Sequence, residues 1–515
     1  MTELIYPTIN LFLYDLRDGL GQNPEEIVNN HNKFKQKLPE NIRDSLLQFD
    51  TEFDAEYVEI LGNQRIERFK ASGGLYEGYF YPVRLGDTYG LLLDCSINNQ
   101  VTPYPINCFA NLKTQIDNKL KRQSATIGQT WMLTGHLPNN SSRTSESVAQ
   151  ACYNALMPNG NWQQDFQGQG HLLGGTLFEL WRYRLSMKED TRSSLPPNLQ
   201  SIQENHHVII ALYPDAIAHQ KAAEFNFDWM RLFCYRNKIL WASAQSRYLK
   251  QQLKADFVLL QKGITDLRKV SYPKPKLKLL TPILEEAQNT LSRYSINISY
   301  FDYQLRNIEI NLDNYKKRLV TLQEKADRER VNPLFPKELS FLIQNPALTS
   351  LISNSALSPF LSQLTNSQGS LDLKFLEKFS NDVENKYLMQ VQKDYENLSP
   401  GEKLLEGLMN SINSVRSLIE IDQQERDRNL QSTVAILGVG LAGGSVVASV
   451  CTQFPIDTPD KALAHPVGHA LNSYLHVPPD WVVSATSGVF IVSATILFGL
   501  LTWLVIWLWE HFFKQ

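Results

Sequence analysis

Two long stretches without a charge constrain this chain more than any other feature. Thr433 to Thr452 runs for twenty residues, and Trp481 to Trp509 for twenty-nine, without Asp, Glu, Lys or Arg. A hydrocarbon core of ~30 Å needs ~20 helical residues, so each stretch is long enough to span a bilayer. A helix from Trp481 to Trp503 would rise roughly 33 Å. Trp503, Trp507, Trp509, Phe512 and Phe513 would then form an aromatic belt at one interface and Trp481 would mark the other. For the first stretch a buried, Gly-rich soluble helix is the alternative.

The flanking charges set an expected orientation. Arg416, Arg426 and Arg428 precede the first stretch. The segment 453–480 carries one Lys, Lys461, against Asp457, Asp460 and Asp480, and the tail 510–515 carries Lys514. Under the positive-inside rule both termini face the cytoplasm and 453–480 is an extracytoplasmic loop. Residues near Met1 lack a basic segment followed by an apolar run, so no secretory signal is expected there. The expected location is the plasma (inner) membrane, with a large cytosolic part.

The two stretches differ in kind. In the first, Gln431, Ala435, Gly438, Ala442, Ser445, Ser449 and Thr452 follow one another at spacings of four and three, and all are small or polar. Ile436, Leu437, Val439, Leu441, Val446 and Val447 flank them. Such a stripe lets helices approach closely or lines a narrow polar path. Ala435, Gly438, Ala442, Ser445, Ser449 and Thr452 are therefore pore-lining candidates, with a plain packing seam as the alternative. Gly440 and Gly444 form a G-x-x-x-G helix-packing pair. The second stretch, rich in Phe, Ile, Leu and Trp, suits lipid contact.

The 466 remaining residues are ordinary globular sequence. Fifty basic and 53 acidic side chains leave a net charge of -3, so nucleic acid is not an expected partner. Five widely spaced cysteines (Cys95, Cys108, Cys152, Cys234 and Cys451), with no C-x-x-C pair, indicate reduced thiols and not a disulfide framework.

Residues 1–270 are expected to form an α/β or α+β domain. Thr8–Tyr14 and His207–Leu212 are apolar enough for buried strands, and Tyr76–Cys95 reads as a hairpin turning near Leu85-Gly86-Asp87. Helical patterns occupy Pro24–Lys37, Ser145–Met157, Thr176–Leu185 and, at length, Phe227–Val270. A helical stalk over 271–432 follows. Leu284, Ala287, Leu291, Tyr294, Ile298, Phe301, Leu305, Ile308, Leu312, Tyr315, Leu319 and Leu322 form a heptad seam that would be ~57 Å long as one helix. Pro and Ser/Asn break the pattern over 331–372, helix resumes over Lys374–Leu398, and a break falls at Ser399-Pro400-Gly401. The next helix carries an apolar face from Leu404 to Ile419 and meets no turn signal before Thr452.

This order of parts resembles the CorA-type divalent-cation transporters. The stretch Ser417–Asn429 (SLIEIDQQERDRN), leading into Leu430 and the small-residue stretch, is similar to that family's stalk-to-pore junction. The resemblance covers roughly 275–515 and is architectural. It implies a homo-oligomer, a pentamer, whose first spans line a pore for a divalent cation under control of the cytosolic domain. The family's Gly-Met-Asn signature is absent; Ser449-Val450-Cys451-Thr452 stands there instead, so no selectivity residue carries over. The alternative is a membrane-anchored signalling or defence effector whose cytosolic domain binds a nucleotide-like messenger or a protein partner.

Candidate chemistry elsewhere is sparse. Asp457, Asp460, His465 and His469 could gather a metal ion, His465 and His469 sharing a helical face; a solvated loop is the alternative. Arg231, Arg236 and Lys238, near Trp229 and Trp241, are candidates for an anionic ligand, against ordinary salt bridging. The GQGHLLGG run (Gly168, Gly170, Gly174, Gly175) misses both phosphate-loop spacings and fits a tight turn better. His206, His207 and Asp215 lack a nucleophile elbow, and Tyr76, Tyr79, Phe80 and Tyr81 suit core packing or a ligand pocket. No catalytic constellation is recognised, so enzymatic activity is not expected.

Overall fold

The structure is a computed structural model. It describes residues 2–43, 56–70, 74–138, 143–185, 203–271, 277–331 and 371–422, with a short helix at Pro466–Leu475 and a few residues beside it. Both apolar C-terminal stretches, and with them Ala435, Gly438, Gly440, Ala442, Gly444, Ser445, Ser449 and Thr452, lie outside the described residues, as do Asp457 and His465. Among the described residues no helix is long and apolar enough to cross a membrane.

The described residues form two compact units. One comprises the sheet region through Leu249 together with Tyr300–Asp394, and the other comprises Lys250–Ser299 with the described residues from Tyr395 onward. The first unit is built on one mixed sheet. Its strands are β1 (Glu3–Leu16), β2 (Tyr57–Glu59), β3 (Glu67–Lys70), β4 (Tyr76–Leu85), β5 (Thr88–Ile97), β6 (Pro103–Pro105), β7 (Gly128–His136), β8 (Phe166–Leu172), β9 (Gly175–Leu185) and β10 (Gln203–Tyr213). The main order is β2-β4-β5-β1-β7-β10-β9-β8, with β3 beside β4 and β6 beside β1. Among the described residues only β7 and β10 pair in parallel; the other strand pairings are antiparallel.

Helices cover both faces, which is why the strands are apolar on both sides. Successive strand residues point to opposite faces. Ile9, Leu11 and Leu13 of β1, Leu91 and Leu93 of β5, Leu133 of β7 and Ile210 of β10 share the first face's core with helix residues. Those helices are α1 (Pro24–Gln36), α2 (Cys108–Lys119), α3 (Ser145–Leu156) and the single turn α4 (Trp162–Asp165). α1 opens with a capping box, Asn23 accepting from the Glu26 amide while Glu26 accepts from the Asn23 amide, a reciprocal satisfaction of free amides.

The second face carries Thr8, Asn10, Phe12 and Tyr14. It is covered by α5 (Ala216–Ala223) and the first half of α6 (Asn226–Ser271). Phe12 meets Phe233 edge-to-face at 5.2 Å, and the Tyr14 hydroxyl donates to the Met230 carbonyl at 2.7 Å.

The seam of α7 (Leu277–Val331) is buried as its spacing predicts. Tyr294, Phe301, Ile308, Tyr315 and Leu322 recur every seven residues with almost no exposure. It packs within its own chain. In the first unit Arg318 and Lys325 both pair with Asp228 of α6, and the Tyr315 hydroxyl donates to the Leu376 carbonyl. Lys374–Leu398 is helical as expected: a 3-10 turn, α8 (Glu377–Asp382), a π turn at Val383–Leu388 and α9 (Met389–Leu398). In the second unit Arg293 of α7 donates to Asp256 of α6 at 2.8 Å, and Tyr294 donates to the Leu398 carbonyl at 2.6 Å. α10 (Pro400–Asp422) belongs to this unit, and its Leu405, Leu408 and Ile412 are buried. α11 is the isolated Pro466–Leu475 helix.

One expected element is corrected. Thr176–Leu185 is not a helix; it is most of β9, paired along its length with β10 and over its first half with β8. Glu179 and Trp181 face one side while Phe178 and Leu180 face the core on the other, a two-residue alternation that pairing partners on both edges make decisive. The GQGHLLGG run holds a tight turn, as expected, and the turn joins two strands. Gly168 and Gly170 lie in β8, and the chain reverses at Leu173-Gly174. A Cβ on Gly170 would collide with the Asp372 carbonyl and the Phe375 ring, so the glycine makes room for the segment that crosses β8.

Candidate functional site

A cavity of about 370 Å³ opens in the first unit between the second sheet face and α5. Strand pairing builds its floor. Tyr79, Asp94 and Asn10 are direct cross-strand partners on β4, β5 and β1. The adjacent row is Glu77, Ser96, Thr8 and Thr134 on β4, β5, β1 and β7. Side chains directly opposite on one face sit ~4.5–5.5 Å apart at Cβ, so two polar rows run side by side, one across three strands and the other across four. Both would read as solvent-facing positions if α5 and α6 did not cover them.

The walls are aromatic. Tyr213 stacks on His219 of α5 with ring centroids 5.4 Å apart, and Tyr6 and His136 approach the same imidazole edge-on at 5.8 and 6.0 Å. Tyr6 sits at φ 49, where the β1–β7 register shifts between Ile5 and Thr8. A left-handed tyrosine costs about 1–3 kcal/mol, a strain typical of ligand-contacting segments. Asn226 of α6 donates to the Tyr79 hydroxyl at 3.3 Å, and the mouth is edged by exposed Arg68 and Lys70 of β3.

Several polar atoms here lack partners. Asn10 Oδ1, His136 Nδ1 and the Tyr213 hydroxyl are buried without a hydrogen bond, beside the Asp94 carboxyl that also lines the cavity. Each such buried group costs about 1–3 kcal/mol unless something satisfies it. Burial, then the nearby Glu77 charge, raises the Asp94 carboxyl to about 8, against the weaker opposing pull of Arg68. Burial lowers His219 to about 4, with His136 adding to the effect, so its ring is neutral at pH 7. Gly78 of β4 is needed for this geometry, because a Cβ there would strike the Asp94 carbonyl.

His219 Nε2 shares a 2.8 Å hydrogen bond with the Thr134 hydroxyl. Among the described residues no carboxylate hydrogen-bonds that imidazole, so the pair lacks the third member of a nucleophilic triad. The arrangement is fitted to hold a small polar molecule between aromatic walls over an acceptor-rich floor.

At the far end of the same face lies a second polar cluster that has the form of a triad. The Thr130 hydroxyl meets His207 Nδ1 at 2.9 Å, and His207 Nε2 meets Glu179 Oε1 at 3.1 Å. Burial, then the Arg236 charge, lowers His207 to about 4. A neutral ring then donates from Nε2 to the carboxylate and accepts at Nδ1 from Thr130, whose oxygen accepts from Asn237 at 3.2 Å. All three members are fully enclosed, so no substrate reaches the hydroxyl and the cluster is structural.

The sequence-derived candidates fall apart spatially. Arg236 lies inside that second cluster, 3.9 Å from Glu179 and sandwiched between the Trp181 and Phe379 rings, each 4.7 Å away. Lys238 pairs with Asp87, and Arg231 lies 4.3 Å over the Tyr57 ring. Arg236 makes no hydrogen bond from any guanidinium nitrogen, and the three cations do not converge on one cavity. Asp215 caps α5, accepting from the Ala218 amide at 2.8 Å, and His207 sits in β10, between β7 and β9. Of the hairpin aromatics, Phe80 is core and Tyr79 lines the cavity. Asp460 and His469 are exposed, and among the described residues no group of three His, Cys, Asp or Glu is placed to hold a metal.

Asp94, His136 and His219 stand in no recognisable motif. For Asp94 and His136 the only sequence signal is polar residues at alternate positions within otherwise apolar strands, and His219 lies on the short helix α5. No family model, curated protein or solved structure matches the chain.

Proposed function

We propose that the chain is a membrane-attached receptor. Its first unit binds a small polar molecule in the cavity beneath α5, and its C-terminal stretches 433–452 and 481–509 embed in the bilayer. The observation that carries this reading is the set of buried, unpartnered polar atoms around one cavity, at Asn10, His136 and Tyr213, beside the Asp94 carboxyl that also lines it. A folded protein retains such groups at a cost that a ligand repays. The long helices give the occupied cavity a route to the rest of the chain: α6 covers the cavity's sheet face, and both α6 and α7 contribute residues to each unit. A ligand that prefers one packing of these helices shifts its population.

Two measurements test the reading. The full chain should stay with membranes through alkaline carbonate washing. In detergent, at least one compound of a polar metabolite library should raise its melting midpoint, by about 2.7 kcal/mol in stability at a hundredfold excess over Kd. Ala222, which lines the cavity from α5, supplies the control: Ala222→Phe fills the space and should abolish the shift. Release by carbonate, or a shift indifferent to Ala222→Phe, defeats the proposal.

A second reading adds conduction. The stripe Ala435, Gly438, Ala442, Ser445, Ser449 and Thr452 favours it, in the pentameric arrangement that the CorA-like order of parts implies, with a divalent cation as permeant. Cation flux into liposomes carrying the full chain, blocked by Ser445→Leu, supports this version, and silence with every cation removes it.

A further inference from the structure

Resting on the reading of the cavity as a ligand site, we propose that its ligand presents two parallel N–H donors on a planar, delocalised group, as a guanidinium or a guanine edge does, and carries an anionic group at its other end. Three features of the site lead there.

The first is the balance of hydrogen-bonding groups on the floor. Asp94 and Asn10 are direct cross-strand partners that both line the cavity, and Asn10 Oδ1 is buried without a hydrogen bond. Two acceptor groups ~4.5–5.5 Å apart at Cβ match a paired donor. A phosphate or carboxylate in this position would instead meet Asp94 and Glu77 with no buried cation beside them.

The second is shape. Tyr79 is the neighbour of Asp94 on β4, and the stacked Tyr213 and His219 rings stand at the other end of the cavity. Aromatic faces receive flat, delocalised cations and bases better than they receive a compact, strongly hydrated ammonium.

The third is the direction of the field. Charge inside is acidic, from Glu77, with the Asp94 carboxyl able to ionise against a cation, while Arg68 and Lys70 also line the cavity, are exposed and form no ion pair with a described residue. A ligand with donors inside and a carboxylate or phosphate outside satisfies both ends. Arginine and guanosine monophosphate share this chemistry and represent its two sources; agmatine keeps the guanidinium but lacks the anion.

Binding should also move a proton. The groups facing Asp94 are Glu77 and Tyr79 of β4, Arg68 of β3, Tyr6 of β1, His136 of β7 and His219 of α5. None of them neutralises Asp94, so a cationic ligand ionises it and releases its proton to buffer.

The experiment is calorimetric titration of the detergent-solubilised full chain with arginine, agmatine, guanosine monophosphate, adenosine monophosphate and inorganic phosphate. Arginine or guanosine monophosphate should bind, and which of them binds identifies the source. Asp94→Asn and, independently, Asn10→Leu should each weaken that ligand at least tenfold. Arg68→Ala with Lys70→Ala should weaken the same ligand several-fold while leaving any agmatine affinity unchanged. For arginine, heats at pH 7 in buffers of different ionisation enthalpy should reveal proton release that Asp94→Asn removes. Binding of adenosine monophosphate or phosphate alone, or guanidino binding untouched by Asp94→Asn in a normally folded variant, overturns the proposal. The receptor reading fails separately: a library compound lost in Ala222→Phe but not in Asp94→Asn refutes only the ligand class, whereas no cavity-dependent compound at all refutes both.

Discussion

Replacing Asp94 by Asn isolates the energetic role of the buried carboxyl, because Asn keeps the shape and removes the titration. In the folded chain the carboxyl stays protonated up to about 8, against an ordinary value of 3.8. Between those values the folded state holds a proton that the unfolded state has lost. Its contribution is therefore fully present below pH 3.8 and drains away as pH rises towards 8. At 1.36 kcal/mol per unit, about 4 kcal/mol disappears between pH 4 and pH 7. For a unit of this size 1 kcal/mol moves the midpoint by roughly 1–2 °C, so the variant should gain about 4–8 °C on the wild type across that range. Near-UV circular dichroism melts of both full-length proteins, taken at pH steps, measure the gap directly. Other titrating groups are common to both proteins and cancel. Parallel curves would refute the reasoning, because they would mean that Asp94 titrates normally and is not enclosed by the cavity.

Three further outcomes follow from the packing. Phe233→Ala should destabilise by about 3–5 kcal/mol in denaturant melts, since the ring fills the space between Phe12, His207 and Trp229. Glu179→Gln should destabilise by about 3–5 kcal/mol, because it leaves the enclosed Arg236 without its carboxylate; Arg236→Met in the same background should recover part of the loss, read by the same melts. Gly78→Ala should destabilise by more than about 1 kcal/mol and abolish ligand-induced midpoint shifts, because the added methyl pushes β5 and Asp94 away from β4.

The fold was legible where a single periodicity dominated. The apolar run at Thr8–Tyr14, the turn at Gly86-Asp87 and the three-four spacing through Tyr294, Phe301, Ile308 and Tyr315 all stand in the structure as expected. β9 was misassigned because Thr176–Leu185 is apolar on both faces, and only its pairing with β8 and β10 distinguishes a strand from a helix. β7 places Thr130, Thr134 and His136 on the face opposite Trp131 and Leu133, a pattern that suits a half-exposed strand as well as the enclosed one observed.

The cavity was illegible for the same reason. Asp94, His136 and His219 come from three distant parts of the chain and meet only when α5 folds over the second sheet face. The cations singled out in the sequence, Arg231, Arg236 and Lys238, gave a stronger local signal. Tyr57, Glu179 and Asp87 hold them instead, and none of those partners is near in sequence.

Hydrogen–deuterium exchange on the full-length protein in lipid nanodiscs tests the central claim most directly, using the compound that gives the largest cavity-dependent midpoint shift. The account predicts slower exchange in β1 around Thr8–Asn10, in β5 around Asp94–Ser96 and in α5, together with altered exchange in α10. Protection confined to other surfaces, with β1, β5 and α5 exchanging as in the ligand-free protein, would contradict it.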